Sequence, residues 1–284
     1  FKALPLAKKK LPSKIDWIAF LFQGGYRVFN QGNQGSCTAN CGATDKAFQE
    51  MQAKTYPGVF SRAFLYYLER KLHGWENQDS GAFMEDIGTV LMKNGICLDK
   101  TMPYNERDFT TPPSEEALKE AEGYLCADIQ TRLKISDLKE ALVSGPIRFG
   151  LPVYESFLRA NKNGGFIPIP DIEHEGLLGG HAVWGGGYDD NLTGPDGNRG
   201  YYTLINSWGE TVGNRGIFYL PFAFIKELGE EGTDNWQQFD SPVPSPPPPG
   251  PGPEPDWIEI LKEIIKLLEE LLSSLISAMG HRRK

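Results

Sequence analysis

The chain has 284 residues and a formal net charge of -8, long enough to bury a sizeable core in one or two domains. The acidic balance, with no basic stripe interleaved with aromatics, argues against a nucleic-acid partner. Four cysteines are too few to build a disulfide scaffold.

In chain order, residues 1–10 form a basic, proline-containing tail whose Lys8-Lys9-Lys10 run reads as solvated. It holds no apolar run of signal-peptide length, and with Phe1 leading, the expectation is a mature form. Asn30 to Asn40 then sets Cys37 just past a Gly- and Asn-rich turn. Ala43, Ala47, Phe48 and Met51 follow at helical spacing, with Ser36 as the expected N-cap. A thiol in a helix's first turn feels the positive end of the backbone dipole, which favours the thiolate.

Two more helical patterns follow. One runs near 61–73, with Phe64, Leu65, Leu68 and Leu72 on one side; the other runs near 83–93 and closes at Asn94-Gly95. The second half turns to strand patterns near 146–153, 181–188, 201–206 and 215–220, rich in aromatic and β-branched residues between glycines. A helical first half and a β-rich second half predict an α+β fold.

A cysteine nucleophile needs a base for its proton and a third group to orient that base. Gly180-His181-Ala182 offers an imidazole entering a strand, and Asn206-Ser207-Trp208-Gly209 an amide at the end of the next. Asp171, Glu173, His174, Glu175 and His181 match no standard zinc spacing, so no metal is expected, and His174 reads as a surface loop residue. Gly185-Gly186-Gly187 lacks the lysine and helix of a phosphate loop and reads as close strand packing. Asn191-Leu192-Thr193 fits a glycosylation acceptor, a triplet frequent by chance.

From Ser241 to Asp256 a proline-rich stretch reads as a semi-rigid spacer that spans about 40 Å at about 3.1 Å per residue. Beyond it Trp257 to Met279 reads as an amphipathic helix with two adjacent heptad seams, through Leu261, Leu268 and Leu275, a face broad enough for a bundle. Its polar face mixes Glu259, Glu263, Glu269 and Glu270 with Lys262 and Lys266. That favours self-association or a helical partner over a membrane surface, and the charges interrupt any span of a bilayer. The expected parts are a tail at 1–10, a main domain at 11–240, a linker at 241–256 and a docking helix at 257–284.

Gln31 to Asn40, Gly180 to Asp190 and Asn206 to Gly209, in this order, resemble the papain family (C1) of cysteine peptidases, its bacterial-type branch in particular. His181 lies 144 residues beyond Cys37, as that resemblance requires. Ser61 to Tyr67, Asp79 to Ala82, Pro103-Tyr104 and Val153 to Phe157 support it. The resemblance implies a two-lobed papain-like fold with the cysteine on the helical lobe, the histidine on the β-rich lobe and the cleft between.

By the same resemblance Cys37 is the nucleophile, His181 the base, Asn206 its orienting partner and Trp208 the ring shielding that contact. Gln31 is the side-chain donor of the oxyanion hole. Gly81 or Ala82 pairs its backbone with the substrate, and Met84 and Ala182 line the substrate site. The substrate is then a peptide or protein, hydrolysed without a cofactor. The chain departs from the family signature at Gln34, where a cysteine is usual, at Thr38, where a tryptophan is usual, and at Val212. With Cys37 used in catalysis, Cys41, Cys97 and Cys126 are odd in number, so at least one is free or pairs between chains. The compartment is left open, with a lean toward a secreted or cell-surface setting. The alternatives are a structural subunit carrying a silent papain-like domain, and a transpeptidase or ligase using the same acyl-enzyme.

Overall fold

A helix that begins at Cys37 is enclosed on nearly every side, and the rest of the chain is arranged to enclose it. The computed structural model describes residues 10–126 and 130–240; the linker and the C-terminal helix expected from the sequence lie outside the described residues. Strand β1 (Lys14–Asp16) runs into helix α1 (Trp17–Gln23), whose N-cap Asp16 accepts the Ala19 N–H. The central helix α2 (Cys37–Ala53) is buried from Thr38 through Gln49. Helices α3 (Arg62–Lys71) and α4 (Met84–Lys93) pack on one side of it.

Sequence signals account for these ends. Ser61 caps α3 by accepting the Phe64 N–H, and Asp86 reaches back to the Phe83 N–H at the start of α4. Leu72 is a correction: α3 stops before it, and its side chain is exposed, not part of the apolar face. Ser36 stands at the N-cap of α2, but its hydroxyl makes no cap bond there and pairs with the Tyr104 hydroxyl at 2.7 Å.

Helix α5 (Glu115–Ala121) precedes β2 (Thr131–Leu133), α6 (Leu138–Ser144) and β3 (Ile147–Tyr154). Then come β4 (Leu177–Thr193), β5 (Arg199–Ile205), β6 (Ile217–Pro221), α7 (Phe222–Leu228) and β7 (Asp234–Gln237). The strands form one antiparallel sheet in the order β2-β7-β3-β4-β5-β6, with β1 pairing along the far part of β4. The four strands predicted from the second half are β3 to β6. Strand β4 is longer than its pattern suggests, because pairing with β3 carries it through Gly179 and Gly180 as far as Leu177. The three-glycine run is a packing device: a Cβ on Gly185 would lie 2.2 Å from the Phe149 ring.

Helix α2 lies between this sheet and the helices α3 and α4, so its polar side chains must be answered internally. Asp45 accepts the Trp184 Nε1–H at 3.2 Å and faces the fully buried Arg148 of β3 at 3.8 Å. Burial pushes the Asp45 carboxyl up to about 6 against the pull of Arg148. Lys46 reaches Glu50 at 2.9 Å and also pairs with Asp240. Removing one member of a buried ion pair strands the other charge. Arg148→Met therefore lowers the unfolding free energy by about 3 kcal/mol in urea titration, and adding Asp45→Asn recovers more than half. A single variant as stable as the parent would show that the pair ties nothing together.

Candidate active site

The residues nominated from the sequence converge on one cleft between α2 and the sheet, of about 840 Å³. Gln31, Cys37, Gly81, Ala82, Met84, His181 and Ala182 all line it, while Asn206 and Trp208 stand behind His181. Cys37 is the first residue of α2, so its own N–H is one of the groups a helix leaves without an intrahelical partner. Its sulfur lies within hydrogen-bonding reach of the Ala182 backbone, the residue after His181.

His181 sits in β4 opposite Leu151 of β3, and Asn206 directly follows β5. The two side chains meet at 2.8 Å, His181 Nε2 to Asn206 Oδ1. The protonation pattern follows from a third group. Asn206 Oδ1 also accepts the Ser207 backbone N–H at 2.7 Å, and a backbone N–H needs an oxygen opposite it. The amide orientation is therefore set, His181 carries its proton on Nε2, and Nδ1 is left as the acceptor. The Trp208 ring stacks on the imidazole at 4.9 Å between centroids and 22° between planes. Phe157 closes the same pocket edge-on, 5.8 Å from Trp208.

Ser207 has a second task, one that sequence reasoning missed although it lies within the Asn-Ser-Trp-Gly run. Its hydroxyl donates to Gln31 Oε1, while Gln31 Nε2 donates to the Gln34 carbonyl at 2.8 Å. Both ends of the Gln31 amide are thus assigned, and one Nε2–H remains over at the cleft wall. Gln34, at the position where the family signature has a cysteine, serves here as that carbonyl acceptor. All four cysteines are free thiols.

Across the cleft, Asp79 holds the turn by accepting from the Gly35 N–H at 2.9 Å and from the Tyr66 hydroxyl. Gly81 adopts φ +73°, which a side chain would strain, and donates its N–H to the Tyr66 hydroxyl at 3.2 Å. Met84 is buried and lines the cleft. The far end of the cleft carries Arg132 of β2 paired with Asp234 of β7 at 2.9 Å, from two short strands without a sequence signature. His174 lies in an exposed loop and bonds Asp171 at 2.9 Å.

Electrostatics correct one expectation. The backbone N–H groups of Ala182, Thr38 and Cys37 do favour the thiolate, but burial outweighs them and pushes the Cys37 thiol up. Burial likewise holds the His181 imidazolium down at about 4, against the help of Asn206.

The profile described as papain family cysteine protease matches residues 11–224, and the chain belongs to that family. It is 33% identical over 228 residues, covering 75% of this chain and 70% of the relative, to an uncharacterised peptidase C1-like protein of Acanthamoeba polyphaga mimivirus. Among solved structures it is similar to xylellain, a cysteine protease from Xylella fastidiosa, at 33% identity and a TM-score of 0.72, covering 82% of this chain and 88% of that one. A Carica candamarcensis cysteine protease in complex with E-64 shares the fold at 21% identity and a TM-score of 0.60, covering 82% and 100%. The chain is therefore a papain-like cysteine peptidase, a hydrolase acting on peptides or proteins.

The buried imidazole gives a pH test. The folded chain holds His181 neutral down to about 4 while the unfolded chain protonates near 6.5. Stability from this group is full above pH 6.5 and is lost as pH falls toward 4, by about 3 kcal/mol. In urea titrations at pH 7 and pH 4, the stability of the wild type relative to His181→Gln should fall by about that amount. A pH-independent difference would contradict the burial argument.

Proposed function

We propose that the chain cleaves peptide bonds through an acyl-enzyme formed on Cys37. The observation that carries this reading is the assigned imidazole: Asn206 holds the Nε2–H, leaving Nδ1 as acceptor in the cleft that Cys37 also lines. Cys37 Sγ attacks the scissile carbonyl carbon as its proton passes to His181 Nδ1. The carbonyl π pair moves to oxygen, where the spare Gln31 Nε2–H and the Cys37 N–H receive it. Collapse expels the amine, which takes the proton from His181, and leaves a thioester on Cys37. Water, deprotonated by His181, then frees the acid and the thiol.

At the cleft edge the Gly81 N–H is already spent on Tyr66, so strand-like pairing with an extended peptide falls to the Ala82 backbone. Met84 and Ala182 then border the bound side chains.

Treatment of the full chain with E-64 under reducing conditions, read by intact mass, tests the nucleophile. We expect one adduct, absent from Cys37→Ala. Gln31→Ala should keep the fold but lose about 10²–10³ in kcat on a peptide substrate, the usual cost of one oxyanion donor. A folded wild type that takes no adduct would remove Cys37 from the mechanism. Product masses from the same peptide separate hydrolysis from transfer to an amine.

We further propose that Trp257 to Met279 assembles the chain with copies of itself. The two heptad seams and mixed-charge polar face support this. Light scattering on the full chain should give a mass above a monomer, falling to a monomer in Leu268→Asp/Leu272→Asp. A monomeric wild type would count against self-assembly.

A further inference from the structure

The residue after Cys37 is Thr38, and its hydroxyl donates to Glu69 Oε2 of α3 at 2.6 Å. Both residues are inaccessible, Thr38 at 2% exposure and Glu69 at 0%, so no solvent can substitute for either partner. The second carboxyl oxygen of Glu69 is also buried and accepts no hydrogen bond among the described residues. No step of the acyl-transfer chemistry uses this carboxyl. A buried acid is costly beside an apolar side chain of the same volume, so its one strong bond calls for a reason.

The position of the bond supplies it. Thr38 lies in the first turn of α2, the turn that also carries Cys37 Sγ and the Cys37 N–H. The Thr38–Glu69 bond ties that turn to α3, as Asn40 is tied to Arg62 at the start of the same helix, while the later turns are tied elsewhere: Thr44 to Tyr26 and Asp45 to Trp184. We propose that Glu69 is a positioning residue for the nucleophile, holding Cys37 in place through the Thr38 hydroxyl and limiting its thiolate when the Glu69 carboxyl ionises. This rests on the reading of Cys37 as nucleophile.

The groups facing Glu69 are Cys37 and Cys41 from α2, Arg70 from α3, Asp86 from α4 and Arg148 from β3. Burial first, then Asp86 and Cys37, push its carboxyl up to about 8, opposed by the Thr38 bond and Arg148. Near neutral pH the site therefore holds a neutral acid at the Thr38 hydroxyl. Above pH 8 it holds an anion, which disfavours a second negative charge on Cys37.

The test is the rate of alkylation of Cys37 by iodoacetamide from pH 6 to 9.5, followed by intact mass and peptide mapping. The proteins are wild type, Thr38→Ser, Thr38→Val and Glu69→Gln, each checked for its fold by circular dichroism. At pH 7 Thr38→Val should label about tenfold more slowly, while Thr38→Ser, which keeps the hydroxyl, stays within about twofold of wild type. Glu69→Gln keeps the acceptor and should match wild type within about twofold at pH 6.5. From pH 7 to 9 its rate should climb about threefold more than the wild-type rate, because it cannot ionise. Should Thr38→Val not fold, the Glu69→Gln profile decides alone. A labelled wild type whose pH profile Glu69→Gln reproduces overturns this proposal only. A folded wild type that takes no label at Cys37 overturns the nucleophile reading and this proposal with it.

Discussion

The burial of α2 is the constraint on which the rest of the structure depends. A helix enclosed from Thr38 to Gln49 cannot leave its polar side chains to water, and this one carries Thr38, Asn40, Thr44, Asp45, Lys46 and Gln49 in that span. Each is answered from outside the helix: by Glu69, Arg62, Tyr26, Trp184, Asp240 and the Gln238 carbonyl. The bonds add little net stability one by one, yet each would cost far more if its partner were lost. Their joint effect is geometric. They hold the Cys37 end of the helix at one height and rotation against the sheet.

The sheet side of the cleft is held by a shorter chain of bonds. Gln31, Ser207, Asn206 and His181 are linked in sequence, and a single residue, Ser207, serves both the amide near the cleft and the amide behind the imidazole. Because backbone groups anchor both amides, their orientations are determined by donor and acceptor chemistry. The proton on His181 is thereby confined to one nitrogen, and the Trp208 ring covers the bond that confines it. Dryness has a cost here, since burial opposes both the thiolate and the imidazolium.

Much of this was legible in residue order. The apolar positions Phe64, Leu65 and Leu68 announce α3, and the Asn-Gly end announces the close of α4, because helical period and end signals are local properties. The central strands are visible through their aromatic and β-branched runs. The short strands β2 and β7 are not, since a three- or four-residue segment such as Thr131–Leu133 has no period to read and exists through its neighbour's hydrogen bonds. The same holds for the far end of the cleft, where Arg132 and Asp234 meet from segments about a hundred positions apart.

By itself the sequence determined the chemistry available to this protein: a thiol at a helix start, an imidazole entering a strand and an amide at the end of the next, in the order of a known family. These are properties of residue type, order and local propensity, which need no third dimension. Only the tertiary structure decided which nitrogen of His181 bears the proton, that Ser207 joins the Gln31 and Asn206 amides, and that burial opposes the thiolate at Cys37. It also decided that the buried Glu69 meets Thr38, the residue after Cys37. Those outcomes depend on desolvation and on partners far apart in the chain, and both quantities exist only once the lobes have closed on α2.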